Sequence, residues 1–242
     1  MNESWDRDWP AGWTVEHVAE TGSTNADLLE DVTRRPHRSV LATDHQTAGR
    51  GRLERKWDAP PGSNLLVSLL FRADAVGADP GELVRRVSLA ALDAGRAVAP
   101  AAVGDRLRLK WPNDLLLGDD KLAGVLAQRD GTGSVVVGIG INVGWAPPGA
   151  ARLGDGVDRA DLLAELLSSY DRLPATTDQL HARYRAELGT LGQRVRIIGT
   201  SGDIVGRAVD VEPDGRLIVL DDCAMTHRVD VGDVTHLRPA GE

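Results

Sequence analysis

The chain has 242 residues, with 36 acidic against 28 basic side chains and a formal charge of −8. The acidic total argues against general nucleic-acid binding, and no apolar run approaches the about 18–20 residues of a membrane helix. Residues 1–10 hold Asp, Glu and Trp where a signal peptide would carry basic residues and then an apolar core. The single cysteine, Cys223, excludes an internal disulfide and a cysteine zinc cluster, so the expected setting is the cytoplasm. Of the 28 basic residues only three are lysines: Lys56, Lys110 and Lys121.

Residues 1–12 read as a flexible N-terminal arm. Ser23 or Thr24 can cap a short helix reaching about Thr33, with Asp27 in its first turn. Residues 39–44 read as a strand, and the continuous apolar run NLLVSLLF at 64–71 as a buried one. Residues 80–98 show apolar side chains at helical spacing, with Pro80 just inside the start. Strands are predicted at 106–111, 115–117, 121–128 and 134–143, separated by Asn-Asp, Gly-Asp-Asp and Gly-Thr-Gly turns. Two amphipathic helices follow at 158–173 and 176–188. After Gly189 come short strands at 194–198, 204–211, 216–220, 225–229 and 234–237, with Pro213-Asp214-Gly215 as a strong turn signal. The expected division is a larger domain over 13–189 and a small β-barrel over 190–242.

Five segments carry chemistry. QTAGRGRLERKW at 46–57 holds four basic residues and one acid. Gly49 and Gly51 allow close backbone approach, while Arg50 and Arg52 offer guanidinium forks for an anion. A solvated basic loop is the other reading. Lys110-Trp111-Pro112-Asn113-Asp114 puts a cation, an aromatic face, an amide and a carboxylate on one turn; a plain hairpin turn would also suit it. In Lys121-Leu122-Ala123-Gly124, a glycine inside a strand marks a close approach, and the lysine points to solvent or into a site. Gly138-Ile139-Gly140-Ile141-Asn142-Val143-Gly144 has the wrong spacing for a dinucleotide fingerprint and is followed by Trp145-Ala146-Pro147-Pro148 rather than a helix. Its glycines suit a floor without side chains under a ligand. Thr21-Gly22-Ser23-Thr24-Asn25 is a run of small hydrogen-bonding residues at a helix start, which simple capping also explains. The sequence has neither a GxxxxGK[ST] phosphate loop nor a GxSxG elbow. The six histidines lack zinc spacing, and metal ligands stay unassigned.

In this order, the five segments resemble the bacterial biotin–protein ligases, of the monofunctional type without an N-terminal DNA-binding domain. Gly-Arg-Gly-Arg followed by a basic stretch and Trp matches 49–57. KWPND stands intact at 110–114, KLAG at 121–124, Gly-x-Gly-[ILV]-Asn at 138–142, and Ser-Thr-Asn at 23–25. The resemblance implies an α/β (α+β) fold: a catalytic domain like the class II aminoacyl-tRNA synthetases, with a mixed sheet, then an SH3-like barrel. It implies activation of biotin with ATP and Mg2+ to biotinyl-5′-AMP and pyrophosphate. Biotin then passes to one lysine of a carrier domain of acetyl-CoA carboxylase or a related carboxylase.

The resemblance also implies roles. Arg50, Lys121 and Asp114 are its catalytic residues. Ser23, Thr24, Asn25, Gln46, Arg50, Gly51, Arg52, Lys121, Gly124, Gly138 and Gly140 bind biotin. Arg50, Arg52, Trp57, Lys110, Trp111, Asn113 and Asn142 face the nucleotide, Trp57 packs the ordered loop over the ligand, and Trp145 covers the adenine. The family often has glycine where Glu54 stands; slower loop ordering or weaker adenylate retention is the expected effect. About 14 residues precede the catalytic domain, so neither a DNA-binding domain nor a repressor role is expected. A lipoate- or octanoate-type ligase of the same superfamily and a non-catalytic biotin-binding module are the alternatives.

Overall fold

The computed structural model describes residues 5–75, 79–198, 202–230 and 233–236, apart from the side chains of 54, 233 and 235. The Glu54 side chain, Leu237 at the end of the last expected strand, and residues 1–4 of the expected arm therefore lie outside the described residues. Seven strands form the larger sheet: β1 Thr14–Thr21, β2 Ser39–Gln46, β3 Leu65–Phe71, β4 Leu107–Lys110, β5 Asp114–Leu117, β6 Asp120–Arg129 and β7 Val135–Ile141. Their order is β1-β2-β3-β7-β6-β5-β4. Only β1 and β2 run parallel; every other pairing is antiparallel, so the sheet is mixed.

The apolar run 64–71 becomes β3, buried on both faces as a continuous apolar strand should be. Leu65, Val67, Leu69 and Phe71 join the main core. Leu70 turns the other way, onto Leu28 of α1 (Thr24–Glu30) and Val136. The main core lies under α2 (Pro80–Val98) and α4 (Arg159–Asp171). α2 begins at Pro80 because the Asp79 carboxylate accepts from the Glu82 N–H at 2.7 Å. A one-turn α3 (Ala101–Gly104) follows it, and α5 (Thr177–Glu187) is tied to α2 by a two-pronged Arg96–Glu187 pair at 2.8 Å.

Three readings need correction. Strand β1 was not predicted: its apolar residues do not alternate, and it is an edge strand. Residues 5–12 are not loose. Trp5 stacks on His17 with centroids 4.2 Å apart, Arg159 lies over Trp5, and Arg7 pairs with Asp161 at 2.6 Å. The helix expected to reach Thr33 stops at Glu30, where Asp31 leaves helical geometry and the chain turns.

The C-terminal unit is a five-stranded antiparallel sheet: β8 Arg194–Ile198, β9 Ile204–Val211, β10 Leu217–Asp221, β11 Thr226–Val229 and β12 Asp233–His236. Strands β8 to β11 form a meander and β12 returns beside β8, an SH3-like order. Its buried Val195, Ile197, Ala208, Leu217 and Val219 are continuous with the main core. Among the described residues, no helix is long and apolar enough to cross a membrane.

Candidate functional site

Strand register assembles the site. Directly opposed residues share a face of a sheet. Ser68, Gly138 and Leu126 are opposed across β3, β7 and β6. In the next row Leu66, Gly140, Gly124 and Asp114 run across β3, β7, β6 and β5. The glycines leave a trough on the face turned away from α2. A cavity of about 430 Å³ lies there, within the usual range for a small-molecule site.

One end of the cavity is polar and carries no formal charge. Gln46 Oε1 accepts from the Thr24 N–H at 2.9 Å and from its hydroxyl at 3.1 Å. The Thr24 and Ser68 hydroxyls lie 2.7 Å apart, and Ser68 donates to Asn25 Oδ1 at 2.6 Å. Asn25 Nδ2 donates to Gln128 Oε1 at 2.7 Å. Three hydroxyl contacts share two hydroxyl protons, so this network has acceptor capacity left over for a ligand N–H. Ser23 is the N-cap residue of α1, but its side chain makes no capping bond; it lines the cavity instead.

The other end is ionic. Lys121 Nζ pairs with Asp114 Oδ1 at 2.6 Å, and the Trp57 ring lies 5.6 Å from the same ammonium. A bulge between Leu115 and Leu116 explains the lysine's direction. In an unbroken strand Lys121 would share the core face with Ala123. Here Leu122 and Ala123 both enter the core, and Lys121 turns to the face of Gly124. Arg52 Nη1 donates to Asn113 Oδ1 at 3.1 Å, and Asn113 Nδ2 donates to the Val125 carbonyl at 2.7 Å.

The basic loop is a hairpin. Arg50 and Lys56 form a bridge, the Gly51 N–H donates to the Arg55 carbonyl at 2.6 Å, and the Trp57 N–H donates to the Gly49 carbonyl at 3.0 Å. Gly49 is required because a Cβ there would overlap the Trp57 carbonyl oxygen. Trp57 lies directly on the glycine floor: a Cβ at Gly140 would overlap its indole, and one at Gly124 would lie 3.2 Å from it. Among the described residues its buried Nε1 has no hydrogen-bond partner.

The structure brings together Ser23, Thr24, Asn25, Gln46, Arg50, Gly51, Arg52, Trp57, Asn113, Asp114, Lys121, Gly124, Gly138, Gly140, Asn142 and Trp145 around this cavity. It does not bring Lys110 or Trp111 there. Trp111 is 2% exposed and faces the C-terminal sheet, its indole N–H donating to the Gly215 carbonyl at 2.7 Å. Asn142 lines the cavity, but its amide is committed to the scaffold. Its nitrogen donates to the Ala151 carbonyl at 2.9 Å and its oxygen accepts from Asn64 at 3.1 Å. Sequence reasoning missed Ser68 and Gln128. Ser68 had a signal, as the lone hydroxyl within an apolar strand; Gln128 had none.

Residues 18–145 match the Biotin/lipoate A/B protein ligase family, and residues 190–237 match the Biotin protein ligase C terminal domain. The Biotin--[acetyl-CoA-carboxylase] ligase of Mycobacterium tuberculosis is 41% identical, over 94% of this chain and 91% of that relative. The chain belongs to the biotin protein ligase family. A second member, from Paracoccus denitrificans and with the same name, is 35% identical over 72% of this chain and 74% of its own. The fold agrees with the solved biotin protein ligase from Aquifex aeolicus, in complex with biotin and ATP. That structure has a TM-score of 0.77 and 24% identity, over 93% of this chain and 99% of that one.

Proposed function

We propose that this chain is a biotin–[acetyl-CoA-carboxylase] ligase acting in the cytoplasm. It activates biotin with ATP to biotinyl-5′-AMP and pyrophosphate, then transfers biotin to a lysine of a carboxylase carrier domain. The observation that carries this reading is the polarity of the cavity: an uncharged, acceptor-rich network at one end, a glycine floor, and an ion pair at the other. Biotin is a molecule of that pattern, with a urea on an apolar bicycle and a carboxylate on a tail.

In this reading Ser23, Thr24, Asn25 and Gln46 hold the urea, the network's spare lone pairs accepting its N–H groups. Gly124, Gly138 and Gly140 make room for the rings. The carboxylate oxygen attacks the α-phosphorus, the new C(O)–O–P bond forms, and pyrophosphate leaves. Two anions must meet, and Arg50, Arg52 and Lys121 offset their repulsion and stabilise the charge building at phosphorus. ATP enters as its magnesium complex, the ion travelling with the phosphates. Among the described residues, no group of three or more His, Cys, Asp or Glu is placed to hold an ion by itself. In the second step the neutral acceptor amine attacks the acyl carbon, AMP leaves, and Asp114 orients the amine or takes its proton. Trp145 suits the adenine. Residues 13–189 would form the biotin- and ATP-binding domain and 190–242 the C-terminal one.

The test is incubation with labelled biotin, ATP, magnesium and a biotin carrier domain. Labelled carrier and biotin-dependent pyrophosphate release are expected. Release with lipoate or octanoate but not biotin, or biotin binding with no release, overturns the proposal.

A further inference from the structure

Arg85 and Trp111 together hold one turn of the C-terminal sheet. Arg85 stands on α2 and is 5% exposed, an uncommon place for a guanidinium. Its Nη1 donates to the Asp214 carbonyl at 3.0 Å and its Nη2 to the Pro213 carbonyl at 3.2 Å. The Trp111 indole donates to the next carbonyl, Gly215, at 2.7 Å. Three consecutive carbonyls of the turn between β9 and β10 thus each receive a donor from the larger unit. Gly215 sits at φ +97°, and a Cβ there would overlap Arg85 Nη1, so the turn fits the guanidinium closely. The backbone N–H of Trp111 donates at 2.9 Å to the buried hydroxyl of Thr190, at the junction of the two units. Trp111 is therefore fixed at both backbone and side chain. Two and three residues later stand Asn113, which holds Arg52, and Asp114, which holds Lys121.

We infer that the turn at 213–215 is a positioning device for the reaction centre. The C-terminal sheet fixes Trp111, and Trp111 fixes where Asn113 and Asp114 meet Arg52 and Lys121. Neither Arg85 nor Trp111 lines the reaction cavity; both are positioning residues. The chemistry suits that task. Burying a cation costs desolvation, which carbonyl hydrogen bonds offset only in a fixed direction, whereas an apolar contact would hold the units together without fixing their register. The biotin end of the cavity is carried by α1, β2, β3 and the far end of β6, and none of its polar residues touches this clamp.

The inference rests on the ligase reading for its kinetic readout alone. The experiment compares wild type with Arg85→Met, Arg85→Lys, Trp111→Phe and Gly215→Ala. It measures biotin-dependent pyrophosphate release, together with amide hydrogen exchange over residues 110–117. In Arg85→Met and Trp111→Phe the biotin KM stays within about twofold of wild type while kcat falls about tenfold or more, and Arg85→Lys recovers part of the loss. Gly215→Ala, which alters the turn from the opposite side, reproduces the fall in kcat. Exchange over 110–117 speeds about tenfold in these variants while exchange over 24–30 is unchanged. A normal kcat in both Arg85→Met and Trp111→Phe, or unchanged exchange over 110–117, overturns the inference. Faster exchange in a protein whose wild type makes no adenylate supports the clamp and removes the ligase reading instead.

Discussion

Lys121 reaches the cavity through one extra residue in β6, and its ammonium fits between the Asp114 carboxylate and the Trp57 ring. Of the other lysines, Lys56 pairs with Asp58 at 3.0 Å and Lys110 stands outside the cavity. Lys121→Ala should slow pyrophosphate release about 100-fold or more, since a lost charge stabiliser costs about 3 kcal/mol. Lys121→Arg should recover little of it, because a planar fork does not fit where a compact ammonium sits. A near-normal rate in either variant would refute the role given to this lysine. The sequence displayed Lys121 and Asp114 on short motifs, but not the bulge that joins them, because register is a property of two strands. Trp111 shows the converse limit. It shares a motif with Asn113 and Asp114, yet consecutive residues around a tight turn face different ways.

The site is built at the level of strands by what the middle of the sheet leaves out. Gly138 and Gly140 lie between β3 and β6, and each admits a neighbour that a side chain would expel. A Cβ at Gly138 would overlap Asn25 Oδ1 and push it out of the polar network. Gly138→Ala should therefore abolish measurable biotin binding by calorimetric titration and lower stability by about 1–3 kcal/mol in urea denaturation. Gly131→Ala, at a turn with nothing within 4 Å of the new carbon, is the matched control and should leave both unchanged. Wild-type binding by Gly138→Ala would contradict this account of the trough. Elements with strong local chemistry were legible: α2 begins at its Pro80 and β3 follows its apolar run. Strand β1 was not, since a parallel edge strand takes its place from pairing with β2 rather than from a pattern of its own.

Across the whole molecule, the change of texture after Gly189 revealed a second unit, but nothing local showed how that unit docks. Its apolar side chains merge with the main core, and its turn at 213–215 is held through backbone carbonyls, which every residue possesses. The helical layer is joined by a more readable contact, the Arg96–Glu187 pair. The hydrogen bond from Arg96 is the main cause holding the Glu187 carboxyl below its ordinary value of 4.5. A lowered carboxyl stabilises the fold above its unfolded pKa, and that contribution fades as pH falls through the folded value. Glu187→Gln should therefore lower the urea midpoint at neutral pH and lessen its fall below about pH 4.5, where the wild type loses the same interaction. Parallel curves for the two proteins down the acid limb would show that the pair does not couple α2 to α5.

The indole resting on Gly124 and Gly140 gives the protein an optical label of its own. Ring atoms of a ligand cannot occupy that floor until Trp57 moves, and the move takes its buried N–H into a new environment. Intrinsic emission should then change when biotin is titrated, and lose that change in Trp57→Phe, although the chain holds six tryptophans. The kinetics of that signal would time the clearing of the floor apart from the chemistry that follows it.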